Sequence, residues 1–195
     1  MSKILFIDGE NFLRKLEEVF KENKIKISDW RKFDFNGLFN KVLEGVKTDR
    51  RIFYFAKLVS HPETEKKSKE LIEKRRLLKA HLESKKQNFE FIIAGRVRGQ
   101  YEGRGLKKIL TFKEKGVDVK IAVDMVVWSC DKKLKMAILA SSDSDLQPAI
   151  KELKDRKIEI VYLGFENTPN KGLTYTTNKT ILIRNSEILS HYSEE

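Results

Sequence analysis

Ala140-Ser141-Ser142-Asp143-Ser144-Asp145-Leu146 is the stretch around which this chain is organised. It follows an apolar run, Met136 to Ala140, and precedes a helical run from Leu146 to Lys154. Two carboxylates, one residue apart, therefore stand where a buried strand gives way to a helix. In an open α/β sheet the crevice at the carboxyl ends of the strands is where ligands bind. The N-terminus repeats the pattern, because Ile4-Leu5-Phe6-Ile7 runs straight into Asp8. A third acid pair, Asp118 and Asp124, lies between the two in sequence.

Outward from these points the chain alternates strands and helices. Ile4 to Ile7 is a continuous apolar run and predicts a strand buried on both faces. Phe12, Leu16, Val19 and Phe20 then share one helical face, with Asn11 as the expected N-cap. A second helix is expected around Phe35 to Leu43, ending at Gly45, and an aromatic-rich strand over Arg51 to Leu58. His61-Pro62 opens a long charged helix through about Lys86. Phe89 to Ala94 predicts a third strand. Gly95 to Gly105 reads as a loop carrying Arg96, Arg98, Tyr101 and Arg104, or else as a hairpin with Leu106 to Phe112 as its second arm. Val117 to Trp128 predicts a helix with Asp118 in its first turn, Ile158 to Leu163 a strand, and Ile181 to Ile183 an edge strand. Such alternation means βαβ units, so the expected fold is a Rossmann-like three-layer α/β/α sandwich with a mainly parallel central sheet.

The chain has 195 residues, 40% hydrophobic and 35% charged, with three prolines. That predicts one domain over residues 1–195, its core about 1–165 and a C-terminal strand and tail over 166–195. Forty Lys and Arg against 29 Asp and Glu give a net charge of +11. A balance of that sign suits a polyanionic partner through counterion release, or serves solubility alone. The single cysteine, Cys130, excludes a disulfide framework and a thiolate metal site, and its place after an apolar helix predicts a buried or inert thiol rather than a nucleophile. The N-terminal apolar run is too short for a signal peptide and no run reaches membrane-spanning length, so a cytoplasmic, reducing setting is expected with no membrane partner.

Asp8, Asp143 and Asp145 follow apolar strands and Asp118 opens a helix, which places them on one edge of such a sheet. Carboxylates gathered in one place repel unless a cation offsets them. Oxygen-only donors with no His or Cys nearby select a hard ion, Mg²⁺ or Mn²⁺. An ion held in this way takes phosphate oxygens as further ligands and suits hydrolysis of a phosphodiester. Each acid also has a plainer reading: Ser142 to Asp145 as a helix cap, Asp8 as a turn acid, Asp124 as a surface residue.

Three motifs, in order, resemble one family. Ile7-Asp8-Gly9-Glu10-Asn11 is similar to its Asp-Gly-x-Asn opening. Lys115-Gly116-Val117-Asp118-Val119, with Asp124 trailing, is similar to its Lys-Gly-Val-Asp-Val signature. Ser141-Ser142-Asp143-Ser144-Asp145-Leu146 resembles its Ser-Gly-Asp-Ser-Asp-Phe signature, with Ser142 in place of Gly and Leu146 in place of Phe. The family is the NYN domain, a branch of the PIN-like nucleases. The resemblance implies a PIN-like fold and metal-dependent ribonuclease activity. It carries over Asp8, Asp118, Asp143 and Asp145 as catalytic and metal-binding acids and Asp124 as a further metal-site member. Asn11, Ser141, Ser142 and Ser144 support them.

The resulting expectation is hydrolysis of RNA, with DNA not excluded, using Mg²⁺ or Mn²⁺. Arg96, Arg98, Tyr101, Arg104, Lys113 and Lys115 are the candidates for holding the nucleic acid, Arg by bidentate phosphate contacts and Tyr by stacking. A homodimer is compatible with the resemblance, since many PIN-like domains pair. Two alternatives stand beside this reading. One is a haloacid-dehalogenase-type phosphatase, which needs an acid–base Asp two residues after the nucleophile, where this chain has Glu10. The other is an RNA-binding module without turnover.

Overall fold

The computed structural model describes residues 1–102 and 109–193. Seven strands form one sheet in the order β4-β3-β2-β1-β5-β6-β7. They are β1 (Ser2–Asp8), β2 (Arg50–Lys57), β3 (Glu90–Glu102), β4 (Ile109–Lys115), β5 (Leu134–Ala140), β6 (Glu159–Phe165) and β7 (Lys179–Ile183). All neighbouring pairs are parallel except β3 and β4. The principal helices are α1 (Gly9–Glu22), α2 (Phe35–Val42), α3 (Glu65–Leu82), α4 (Val117–Cys130), α5 (Gln147–Asp155), α6 (Lys171–Thr176) and α7 (Asn185–Leu189). This is the mainly parallel α/β sandwich expected from the alternation of apolar runs.

The period of two along β1 sorts its residues between two cores. Leu5 and Ile7 pack with α1, α2, α3 and α7, and Ile4 and Phe6 pack with α4, α5 and α6. A strand covered on both faces has no polar side to keep, which explains its unbroken apolar run. The first core is aromatic: Phe12, Phe35, Phe39, Phe53 and Phe89 are buried and interlock at ring-centroid distances of 5.1–6.3 Å. Ile183 of β7 and Ile188 of α7 are fully buried in the same core.

The strand order reverses at β1. The chain builds outward from β1 through β2 to β4 on one side, then returns to lay β5 on the other. The crevice between the ends of β1 and β5 is the switch point of an open sheet. Ile7 pairs with Ala140, so the next residues, Asp8 and Ser141, emerge abreast.

Four local features differ from the sequence reading. The N-cap of α1 is Asp8, not Asn11, and its carboxylate accepts from the Asn11 N–H at 3.1 Å. The long charged helix begins with a short 3-10 turn, Pro62–Thr64, and stops at Leu82, where the chain turns through Asn88 at positive φ. Of the two readings of the stretch from Gly95 the hairpin holds, with β4 (Ile109–Lys115) as its described second arm in place of Leu106 to Phe112, since β3 runs on to Glu102 and pairs with β4. A bulge permits this: Phe55 pairs with Ile93 but Lys57 with Arg96, leaving an extra residue on β3. Finally, Cys130 is exposed, because it is the last residue of α4 and faces away from the sheet-side core.

Candidate active site

Asp8 ends β1 and is only 8% exposed. One carboxylate oxygen accepts from the Asn11 N–H at 3.1 Å and the other from the Ser141 hydroxyl at 3.4 Å. Burial pushes its carboxyl up to about 6; these two hydrogen bonds oppose the shift and the nearby Asp143 and Glu10 charges add to it. Removal from water disfavours the charged form, and neighbouring acids disfavour it further.

Asp143 follows β5 and caps the turn Ser144–Leu146 by accepting from the Asp145 N–H at 2.9 Å. Its own N–H donates to the Ser141 hydroxyl oxygen at 3.1 Å, so Ser141 links the two strand-end acids. Asn11 holds the loop from the other side. Its side-chain oxygen accepts from both the Ser142 N–H (3.1 Å) and the Ser142 hydroxyl (3.0 Å). Serine at this position thus supplies a bond that glycine has no group to make. A third tether comes from Asn170, which caps α6 and donates from its side chain to the Ser142 carbonyl at 2.8 Å. Nothing in the strand pattern pointed to Asn170; its only signal was an Asn ahead of a short helical run.

Asp118 enters from the first turn of α4, after Gly116 at positive φ. Asp118, Asp143 and Asp145 each offer one oxygen, and these three atoms lie within 4.8 Å of one another. Asp8 is not one of the three but lines the same cleft with Asp118 and Asp143. Ser144 is exposed at the rim. Asp124 is a correction to the metal set. It is 6% exposed on α4, and its two oxygens accept from Lys120 Nζ at 2.6 Å and the Tyr54 hydroxyl at 3.0 Å. Six residues beyond Asp118, it falls on another side of the helix. Its bonds tie α4 to β2, which holds the helix start that carries Asp118.

The cleft has a volume of about 670 Å³ and contains an acid absent from the motif reading, Glu114 of β4. Burial, with the Asp8 and Glu10 charges, raises its carboxyl to about 7. The sequence signal was slight: an acid four residues before Asp118. Strand alternation explains the fate of its neighbours. Arg96 pairs with Lys115 and Arg98 with Lys113, so these four cations share one face of the β3–β4 ribbon while Glu114 points the other way. None of the four lines the cleft. Tyr101 is on the opposite face from them, where its hydroxyl donates to Glu63. The cations and the aromatic ring are therefore not brought together as one nucleic-acid grip. Arg104 lies outside the described residues.

The donor set fits a divalent cation: three carboxylates converge, the atoms they offer are all oxygen, and Asp8 in the same cleft is raised by its surroundings. This has a consequence for stability. A carboxyl raised in the folded state stabilises the fold below its unfolded value and loses that stabilisation as pH rises through the folded value. For Asp8 and Glu114 the window runs from about pH 4 to about pH 7. In chelator, the melting temperature is expected to fall by several degrees across that window. Added Mg²⁺ or Mn²⁺ is expected to restore it at the upper end. A thermal-shift titration with and without metal checks this, and a flat metal response would count against a cation at these acids.

Among the described residues no helix is long and apolar enough to cross a membrane. A crystal structure of a protein of unknown function from Vibrio parahaemolyticus shares the fold, with a TM-score of 0.54 at 17% identity over 93% of each chain. No curated protein matches the sequence significantly. The NYN domain profile matches residues 3–183, a span that takes in β1 through β7 and every acid described above. With that match over nearly its whole length, the chain belongs to the NYN domain family, a PIN-like nuclease family.

Proposed function

We propose that the protein is a divalent-metal-dependent ribonuclease that hydrolyses RNA phosphodiester bonds. The convergence of Asp118, Asp143 and Asp145, with the buried Asp8 in the same cleft, at the switch point of an NYN sheet, carries this reading. Asp118, Asp143 and Asp145 would hold Mg²⁺ or Mn²⁺, with Asp8 beside them in the cleft. Such an ion, when bound, supplies an activated water and positive charge for the phosphate and the leaving oxygen.

The chain's own groups account for the rest. The Asn11–Ser142 and Ser141–Asp8 bonds keep the two strand ends at fixed separation, which positions the acids before substrate arrives. None of the three histidines lines the cleft, so no imidazole is placed to act as general base. Arg96, Arg98, Lys113 and Lys115 form a basic face on the side of the β3–β4 ribbon away from Glu114, suited to drawing in a polyanion without contacting the reacting phosphate. In the overall reaction water adds across one P–O bond, leaving a phosphate on one fragment and a hydroxyl on the other.

The test is an assay of purified protein on RNA and DNA of the same sequence, with Mn²⁺, with Mg²⁺ and with chelator. Cleavage of RNA that chelator stops and metal restores is the expected result. Salt-dependent RNA binding without cleavage under any metal would replace this reading with that of a silent binding module. Turnover of a generic phosphomonoester with RNA left intact would replace it with that of a phosphatase.

A further inference from the structure

Helix α3 presents Leu71, Lys74, Arg75 and Leu78 to the cleft. That spacing is the stripe a surface helix normally gives to its core, yet two of its four residues are cations. Lys74 is exposed, but solubility does not explain a mostly buried Arg75. The Arg75 side chain is only 18% exposed. Its guanidinium carbon lies 4.0 Å from the centre of the Phe55 ring. Gly9 leaves room for that ring, because a Cβ there would stand 2.3 Å from it. One terminal nitrogen, Nη2, donates to the Glu10 carboxylate. The other, Nη1, is buried and has no hydrogen-bond partner among the described residues. A buried charged N–H left unpaired is costly, and such groups in native proteins call for a reason. Arg14 lines the same cleft with Lys74 and Arg75, so three cations face the wall that carries Asp8, Asp118, Asp143 and Glu114.

We propose that Arg75, flanked by Lys74 and Arg14, is a phosphate-binding subsite for the polynucleotide backbone, in the same cleft as the acids. Glu10 occupies half of the guanidinium fork when no nucleic acid is bound. A backbone phosphate displaces it, uses both terminal nitrogens in the bidentate manner that Arg favours, and satisfies Nη1. The Phe55 ring sets the plane of the fork, so Arg75 serves as a positioning residue for the strand. The proposal rests on the reading of the acids as a nuclease site.

Binding of a short fluorescein-labelled single-stranded RNA, followed by anisotropy in chelator over a range of salt, tests it apart from catalysis. Arg75→Gln is expected to weaken binding about tenfold and to make the slope of log affinity against log salt shallower by about 0.7. Lys179→Gln, the same charge change on exposed β7, is expected to shift affinity less than twofold, about the scale of general screening. Glu10→Gln removes the competing carboxylate, leaves Arg75 in place, and is expected to tighten binding severalfold. Equal affinities for the Arg75 and Lys179 variants would overturn the proposal, as would a Glu10 variant that binds no better than the parent. Should thermal melting show that Arg75→Gln does not fold, the Glu10 variant alone decides. Because no metal is present, Arg75-dependent binding and Asp143-dependent cleavage are separate readouts. Failure of one is not mistaken for failure of the other.

Discussion

Asp143→Asn is expected to lower metal-dependent RNA cleavage by at least about a hundredfold, the scale on which removing one preorganised charge at a reacting phosphate is felt. The fold should survive. Asn is as good a cap as Asp, so its side-chain oxygen keeps the bond from the Asp145 N–H, and the Ser141 link through the Asp143 N–H is a backbone contact. Asp118→Asn removes a carboxylate of the same cluster, and its expected loss is comparable. Both variants should also melt higher than the parent in chelator, because each relieves repulsion among three acids whose oxygens lie within 4.8 Å of one another. Adding metal should then stabilise the parent more than either variant. The pairing matters: a substitution that lowered activity by unfolding the site would lower the melting temperature. Cleavage that persists in a well-purified Asp143→Asn preparation, at parental rate, would sink the assignment of this cluster to catalysis.

Gly95→Ala is expected to be the most damaging single methyl addition in the described chain, costing about 3 kcal/mol or more. Two costs coincide there. Gly95 has φ +71°, a conformation that side chains other than glycine adopt only at a penalty of about 1–2 kcal/mol. A Cβ built on it would also stand 1.9 Å from the Lys115 carbonyl oxygen, a backbone atom that cannot rotate away. Relief requires the β3–β4 ribbon to part at the bulge. The strand that must shift carries Glu114 and leads through Gly116 into Asp118. Activity should therefore fall with stability, and metal should stabilise the variant less than it does the parent. Gly45→Ala provides the comparison. Its φ is +82°, but nothing lies within 4 Å of the added methyl, so only the conformational penalty of about 1–2 kcal/mol applies. Chemical denaturation of the two variants in parallel measures the difference. Similar losses for both would show that the ribbon yields at Gly95 without cost.

The legible part of the fold followed from short-range regularities. Apolar runs such as Ile4–Ile7 and Met136–Ala140 have no polar positions to spare, and a strand buried on both faces needs none. The acids that end those runs stand out because a carboxylate terminates burial. Where the reading strayed, a competing contact had won. Asn11 has good cap chemistry, but Asp8 one turn earlier takes the cap and frees Asn11 to accept from Ser142. The Gly- and Arg-rich stretch after Ala94 read equally as a loop or a hairpin, because glycine weakens strands. Here Gly95 is the bulge that lets β3 continue and pair with β4. Asp124 trails the motif at a spacing that looked functional, yet Tyr54, seventy residues away in sequence, and Lys120 use both of its oxygens.

By itself, then, the sequence determined the layered α/β architecture and the family, and it singled out the candidate acids Asp8, Asp118, Asp143 and Asp145, because each rests on a pattern contained within a few consecutive residues. Only the tertiary structure decided which side chains share the cleft. It drew in Glu114 while turning Lys113 and Lys115 outward, set Arg75 over Phe55 with half its fork unused, and tied Asn170 to the Ser142 loop. The physical reason is that a side chain's partner depends on strand register and helix packing between segments far apart in sequence. A shift of one residue in register would exchange the inward and outward faces of β4.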